Sequence, residues 1–294
     1  MRKRIKDLAF QIKVKKETLL DICDKLDINE SNFYKSWNEP KKDPYKNPLK
    51  DSEGNIKTRP INAPIKPLKK IQSKILKNVL YRIELPKNFF GGLKGKDAVL
   101  NSKFHQGNKF FLLTDFKSFY PSISSKRVEQ ALRNEGFYPD VARLITRLCT
   151  SQGRIPQGCP TSSFLSALVL KHTISDFIKD YENESFKVTV YVDDITISSS
   201  IDFKNKVPEI LNKLREKDLK INFEKTYYKT KSPNITGVIV KNNSIVPPQH
   251  TFSFSKDILL SESSRLGHQQ RIKYIKSISE QKFNHSQNTP DSNK

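Results

Sequence analysis

Three aspartates, Asp115, Asp193 and Asp194, have the type and spacing to do chemistry together. The adjacent pair lies in "VTVYVDDITISSS", residues 188–200, where Val188, Val190, Val192, Ile195 and Ile197 favour β-structure, with Tyr191 among them. Neighbouring carboxylates repel one another and are tolerated in water or where a cation neutralises them. A solvated hairpin tip is the plain reading of such a pair, because Asp is a turn residue. Asp115 adds a second possibility. It ends the apolar run of "FFLLTDFKSFYPSI", residues 110–123, which begins as a buried strand and finishes at a Pro turn. A strand-end Asp and a hairpin-tip pair can converge on neighbouring strands of one sheet. Such a cluster makes a site for two divalent ions. Two-metal phosphoryl transfer needs that site: one ion activates the attacking 3′-hydroxyl, and both stabilise the pentacovalent phosphate.

The segments that must position these residues alternate in character. "KETLLDICDKL" predicts a short amphipathic helix, followed by a Pro- and Lys-rich link, "NEPKKDPYKNPLKD". "GNIKTRPINAP" predicts a hairpin. In "PLKKIQSKILKNVLYRIEL", Leu68, Ile71, Ile75, Val79 and Ile83 fall near helical spacing. "GRIPQGCPTSSFLSALVLKHTISDFIKDY" predicts a loop and then a long helix, with Thr161, Ser162 and Ser163 available as caps. "KVPEILNKLREKDL" predicts an amphipathic helix with Val207, Ile210, Leu211 and Leu214 on one face. "NITGVIVKNNSIVPP" predicts a hairpin turning at Asn242-Asn243. No internal repeat is present.

Composition narrows the partner. Lys and Arg number 53 against 31 acidic residues, a formal net charge of +22 in 294 residues. Such an excess costs self-repulsion and points to a polyanion, either nucleic acid or an anionic surface. Between Lys57 and Arg82 there are eight basic residues and no acidic one, so Lys69, Lys70 and Lys74 on the predicted helix are expected at phosphates. A solvated face is the alternative. No apolar run approaches the ~20 residues of a transmembrane span, and the basic N-terminus does not read as a signal peptide. Three widely spaced cysteines, Cys23, Cys149 and Cys159, suggest neither a disulfide framework nor a zinc site and fit a reducing cytoplasm.

"YVDD" in a hairpin, preceded by "IPQGCPTSS" and by "LLTDFKSFYPSIS", resembles the palm motifs of reverse transcriptases from about Arg59 to Ile278. The resemblance implies an α+β right-hand polymerase with fingers, a palm of antiparallel sheet plus helices, and a short helical thumb. The implied division is an N-terminal helical extension at 1–50, basic fingers at 51–110, and a palm at 111–235. A primer-grip hairpin and thumb follow at 236–280, then a disordered tail at 281–294. Asp115 and Asp193 become the principal ligands of two Mg²⁺ ions, with Asp194 closing the site. Tyr120 takes the place of an aromatic gate against a ribose 2′-OH, or else is a core aromatic. Gln157 and Gly158 match a loop against the incoming nucleotide. Arg59 matches a residue gripping the triphosphate, and Lys225 one near the pyrophosphate leaving group, where it could act as a general acid. A plain surface role is the alternative for both.

Two further elements resemble those of retron reverse transcriptases. "NSKFH", Asn101 to His105, matches an Asn-Ala-x-x-His element with Ser102 for Ala, although a lone His such as His105 is more often structural. "NITGV" gives Ile235-Thr236-Gly237 against Val-Thr-Gly. "RLGHQQRIKYIKSIS" resembles the retron thumb, with Arg271 and Lys273 toward RNA. Val192 departs from the usual Tyr-Ala-Asp-Asp, and Ser118 stands where retrons often have Asp. The partners implied are a structured non-coding RNA as template and primer, dNTPs, a cDNA product and an antiphage effector protein, without a membrane and in the cytoplasm. The alternatives are a non-retron defence-associated bacterial reverse transcriptase, an RNA-dependent RNA polymerase and a catalytically silent RNA-binding scaffold. Group II intron enzymes fit less well, since they usually carry further segments.

Overall fold

The structure, a computed structural model, describes residues 4–281. The tail expected at 281–294 falls, but for its first residue, outside them. In chain order the first elements are α1 (Ile5–Ile12), α2 (Lys16–Ile28), β1 (Tyr34–Pro40), β2 (Thr58–Pro64), α3 (Lys66–Asn78), α4 (Ala98–Phe104) and β3 (Phe110–Asp115). Next come α5 (Phe119–Ser122), α6 (Ser125–Asn134), α7 (Pro139–Cys149), α8 (Ser162–Asn183), β4 (Lys187–Tyr191), β5 (Asp194–Ser199) and α9 (Val207–Arg215). The last are β6 (Tyr227–Lys229), β7 (Asn234–Ile235), β8 (Val238–Val240), β9 (Ile245–Val246), α10 (Gln249–Lys256) and α11 (Glu262–Glu280). The fold is α+β. It divides into two units, residues 1–85 with 118–172, and residues 86–117 with 173–294; the division falls within α8.

In the first unit α1 and α7 pack against α3, and α2 packs against α1 and α7. Pro67 opens α3 where its missing N–H has no helical partner to lose, and Leu68, Ile71, Gln72 and Ile75 line the buried face. The helix stops at Asn78, short of Ile83, and a 3₁₀ turn takes over at Leu80–Arg82. All three cysteines belong to this unit and are buried and free. Burial pushes each thiol up to about 12, so none is a nucleophile near neutral pH.

The hairpin expected within "GNIKTRPINAP" does not form. β2 pairs antiparallel with β1, from Tyr34 opposite Pro64 to Pro40 opposite Thr58, and further bridges join Lys42 to Pro48 and Lys50 to Ile56. The segment read as a Pro-rich link therefore begins as the end of β1 and then folds back on itself, with Leu49 N–H donating to the Lys41 carbonyl at 2.8 Å, and residues 1–50 are not helical throughout. Each strand of the β1–β2 ribbon has an edge turned away from its partner strand, where Pro40, Pro60 and Pro64 break no ladder bond.

The second unit is built on an antiparallel sheet in the order β4-β5-β3-β6. Val188, Val190, Ile195 and Ile197 alternate into the core, with Leu112 beside them. A smaller sheet, β7-β8-β9, turns at Asn242-Asn243 as expected, and its Ile235, Val238, Val240 and Ile245 share a core with Val99 and Phe111, and with Ile275 and Ile278 of α11. Among the described residues no helix is long and apolar enough to cross a membrane.

Candidate active site

Strand register puts the aspartates together. Asp115, the last residue of β3, lies directly opposite Asp194, the first of β5. Tyr191 and Asp194 face each other across the β4–β5 hairpin, so Val192 and Asp193 form its tip. Val192 has φ +60°, a left-handed backbone that a β-branched residue rarely adopts. The Phe116 N–H donates to the Asp193 carbonyl at 3.0 Å, tying that tip to the chain just past β3. One ligand atom from each of Asp115, Asp193 and Asp194 lies within 4.8 Å of the others.

The charge of this cluster is only partly offset. Burial first, and then the charge of Asp115, raises the Asp193 carboxyl to about 6. Asp194 is raised to about 7, by burial and then by Asp193 and Asp115. Lys225 Nζ donates to Asp115 Oδ2 at 2.5 Å. Its partial burial works against its charge, but the Asp115 hydrogen bond and the three nearby carboxylates raise its pKa overall. Asn222, which the sequence did not single out, adds two contacts: its N–H donates to the Asp115 carbonyl at 2.8 Å and its Nδ2 to Asp115 Oδ2 at 3.3 Å. Asp115 Oδ1 is buried with no hydrogen-bond partner. An orphaned carboxylate oxygen beside two carboxyls that resist ionisation is what a hard divalent cation with oxygen ligands would satisfy, so the donor set fits such an ion.

The remaining nucleotide candidates belong to the first unit. Tyr120 lies half-buried on α5, its hydroxyl 3.0 Å from Ser163 Oγ. The Gln157 carbonyl accepts from Asn62 N–H of β2 at 2.8 Å. Gly158, at φ +125°, runs so close to β2 that a Cβ there would lie 3.0 Å from Ile61 Cγ2 and 3.3 Å from the Asn62 carbonyl oxygen. Ser162 begins α8 with its hydroxyl given to the Pro156 carbonyl at 2.6 Å. Arg59 is exposed and forks onto Glu39 Oε2 of β1, at 2.8 Å from Nε and 2.6 Å from NH2. An exposed pair of this kind is worth about 0–1 kcal/mol, so a phosphate could displace it. Lys69 and Lys70 are exposed on α3, whereas Lys74 Nζ donates to the Lys13 carbonyl at 2.8 Å, at the end of α1.

Asn101 and His105 require a correction. Both are fully buried, so neither offers an atom to RNA. His105 Nδ1 lies 2.7 Å from Ser198 Oγ and Nε2 2.7 Å from Thr189 Oγ1, clasping β5 and β4 together. Burial, and then the charge of Lys187, lowers its pKa to about 3, which keeps it neutral. Asn101 Nδ2 donates to Thr236 Oγ1 at 3.2 Å, and Ser102 Oγ to the Ile235 carbonyl at 2.7 Å. The two motif elements far apart in sequence are thus one packed assembly. Thr236, at φ +47°, and Gly237, at φ +85°, make its turn. Arg271 NH2 donates to the Gly237 carbonyl at 3.3 Å, and Tyr274 to Asp97, the cap of α4, at 2.6 Å, so α11 docks on the same body. Lys273 is exposed.

A family model described as reverse transcriptase (RNA-dependent DNA polymerase) matches residues 40–240, a span holding all three aspartates, Tyr120, Gln157 and Lys225. The chain belongs to the reverse transcriptase family. Within it, the relatives are of the retron type. The chain is 33% identical over 199 residues to the retron Se72 reverse transcriptase of Salmonella heidelberg, covering 64% of this chain and 52% of that protein. It is 29% identical over 193 residues to the retron Mx162 reverse transcriptase of Myxococcus xanthus, covering 58% and 37%. It is 31% identical over 171 residues to the retron Ec48 reverse transcriptase of Escherichia coli, covering 53% and 42%. The matches span about half or less of these relatives' length.

Proposed function

We propose that this chain is an RNA-directed DNA polymerase of the retron type, copying a dedicated structured RNA into DNA. The observation that carries the reading is the cluster of Asp115, Asp193 and Asp194, with its orphaned Oδ1, in a chain of the reverse transcriptase family. The three carboxylates would hold two Mg²⁺ ions, which when bound activate the attacking 3′-hydroxyl and offset charge on the phosphate. Asp115 orients toward this role through Asn222 and Lys225. Lys225 Nζ holds its proton firmly beside the carboxylates and is exposed enough to reach a leaving pyrophosphate.

Other roles rest on the family resemblance. Tyr120 excludes ribonucleotides, Gln157 and Gly158 face the incoming nucleotide, and Arg59 exchanges Glu39 for the triphosphate. Lys69 and Lys70 meet phosphates, and Arg271, Lys273, Thr236 and Gly237 meet the partner RNA. The proposed division into fingers, palm and thumb follows the same resemblance. So do priming from an RNA 2′-OH, a cDNA left attached, an antiphage effector partner and action in the cytoplasm.

The test is primer extension with dNTPs on RNA that co-purifies with the protein. The wild type extends it in Mg²⁺, and Asp193→Asn falls to about a hundredth or below while keeping the fold and RNA affinity. Extension by Asp193→Asn above a few per cent of wild type would remove the aspartates from the reaction.

A further inference from the structure

Gly91 is buried, and its φ is not positive, so the backbone there does not require glycine. Space does. A Cβ on Gly91 would lie 2.4 Å from Val192 Cγ2, 2.6 Å from Val192 N and 2.9 Å from the carbonyl carbon of Tyr191. Two of those atoms are backbone, which yields only if the whole hairpin tip shifts. The segment that carries Gly91 is itself tied down. Val190 N–H donates to the Asn88 carbonyl at 3.0 Å, and Phe90 N–H to the Val190 carbonyl at 2.8 Å, a short parallel rung on the open edge of β4. Asn88 Nδ2 donates to the Val188 carbonyl at 2.9 Å, and Phe89 and Phe90 are buried. On the other side, Phe116 N–H holds the Asp193 carbonyl, and Asp194 is registered against Asp115. The hairpin tip is wedged between this strap and β3, with Val192 already in a left-handed conformation that has little room to adjust.

We propose that Gly91 is a positioning residue: its missing side chain sets how deeply the Val192–Asp193 tip sits, and so the spacing of the three carboxylates. This rests on reading the aspartates as the metal-holding site. Two measurements separate the two ideas. Hydrogen exchange of the Val192, Asp193 and Asp194 amides, in chelator, reports on the tip alone, and Mn²⁺ titration reports on the carboxylates. In Gly91→Ala, tip exchange should rise at least tenfold and Mn²⁺ affinity should fall at least tenfold. In a Val192→Gly background, which removes Cγ2 and frees the backbone, adding Gly91→Ala should change both by less than threefold. Equal losses in the two backgrounds, or unchanged tip exchange in Gly91→Ala, would overturn the proposal. If Gly91→Ala alone does not fold, the double variant decides: folded, Mn²⁺-binding protein supports the wedge, and failure to fold refutes it. Faster tip exchange in a protein whose wild type binds no Mn²⁺ at the aspartates supports the wedge and counts against the metal-site reading instead.

Discussion

Replacing Asp194 by Asn should make the metal-free protein more stable at pH 8 while ending the proposed polymerase activity. The native site holds the Asp194 carboxyl at about 7, through burial and then the charges of Asp193 and Asp115, against Lys225. An unfolded Asp titrates near ~3.9. A carboxyl raised on folding binds its proton more tightly in the native state, so it weakens the fold above pH 7. That penalty fades as pH falls toward the unfolded value. The difference corresponds to at most about 4 kcal/mol. Partial exposure and the sharing of repulsion among three carboxylates bring the expected gain to roughly 1–3 kcal/mol. In a chain of this size that is about 2–5 °C in Tm. Calorimetry in chelator should show the Asp194→Asn advantage at pH 8, less at pH 6 and none near pH 4. Millimolar Mg²⁺ should narrow or reverse it, because only the wild type gains a fully liganded site. A variant less stable than wild type at pH 8 in chelator, or an advantage that does not change with pH, would refute the electrostatic reasoning.

Tyr120→Ala should raise the ratio of rNTP to dNTP incorporation at least tenfold, since the ring is proposed to exclude a hydroxyl by contact; an unchanged ratio would leave Tyr120 as a packing residue held by Ser163. His105→Ala should cost roughly 2–4 kcal/mol in denaturant unfolding, because it takes away the imidazole bonded to Thr189 and leaves Ser198 with Asn108 alone. The same variant should bind RNA within about twofold of wild type under native conditions, and a large loss of affinity in folded protein would return His105 to the RNA interface.

The aspartate site is legible in the sequence for a physical reason. Period-two apolar residues on both sides of Asp193-Asp194 mark one face of the hairpin, and in the register that forms Leu112 joins that face while Asp115 comes opposite Asp194. The ribbon of β1 and β2 is not legible, because pairing between segments separated by a Pro-rich stretch leaves no local mark, and its prolines read as turn signals. Asn101 and His105 stand out by type and spacing, but a polar side chain does not announce whether it meets solvent or a hydroxyl in the core. Gly91 is harder still. In "FFGG" the two glycines look alike, yet only Gly92, at φ +69°, needs a left-handed backbone. Gly91 is required by Val192, a residue of the aspartate-bearing hairpin far along the chain. The constraint is a property of the neighbour's position and not of the glycine's own conformation. Sequence spacing can therefore locate the carboxylates that would do the chemistry, while what holds them at working distance becomes visible only when the strap and the hairpin tip are placed against each other.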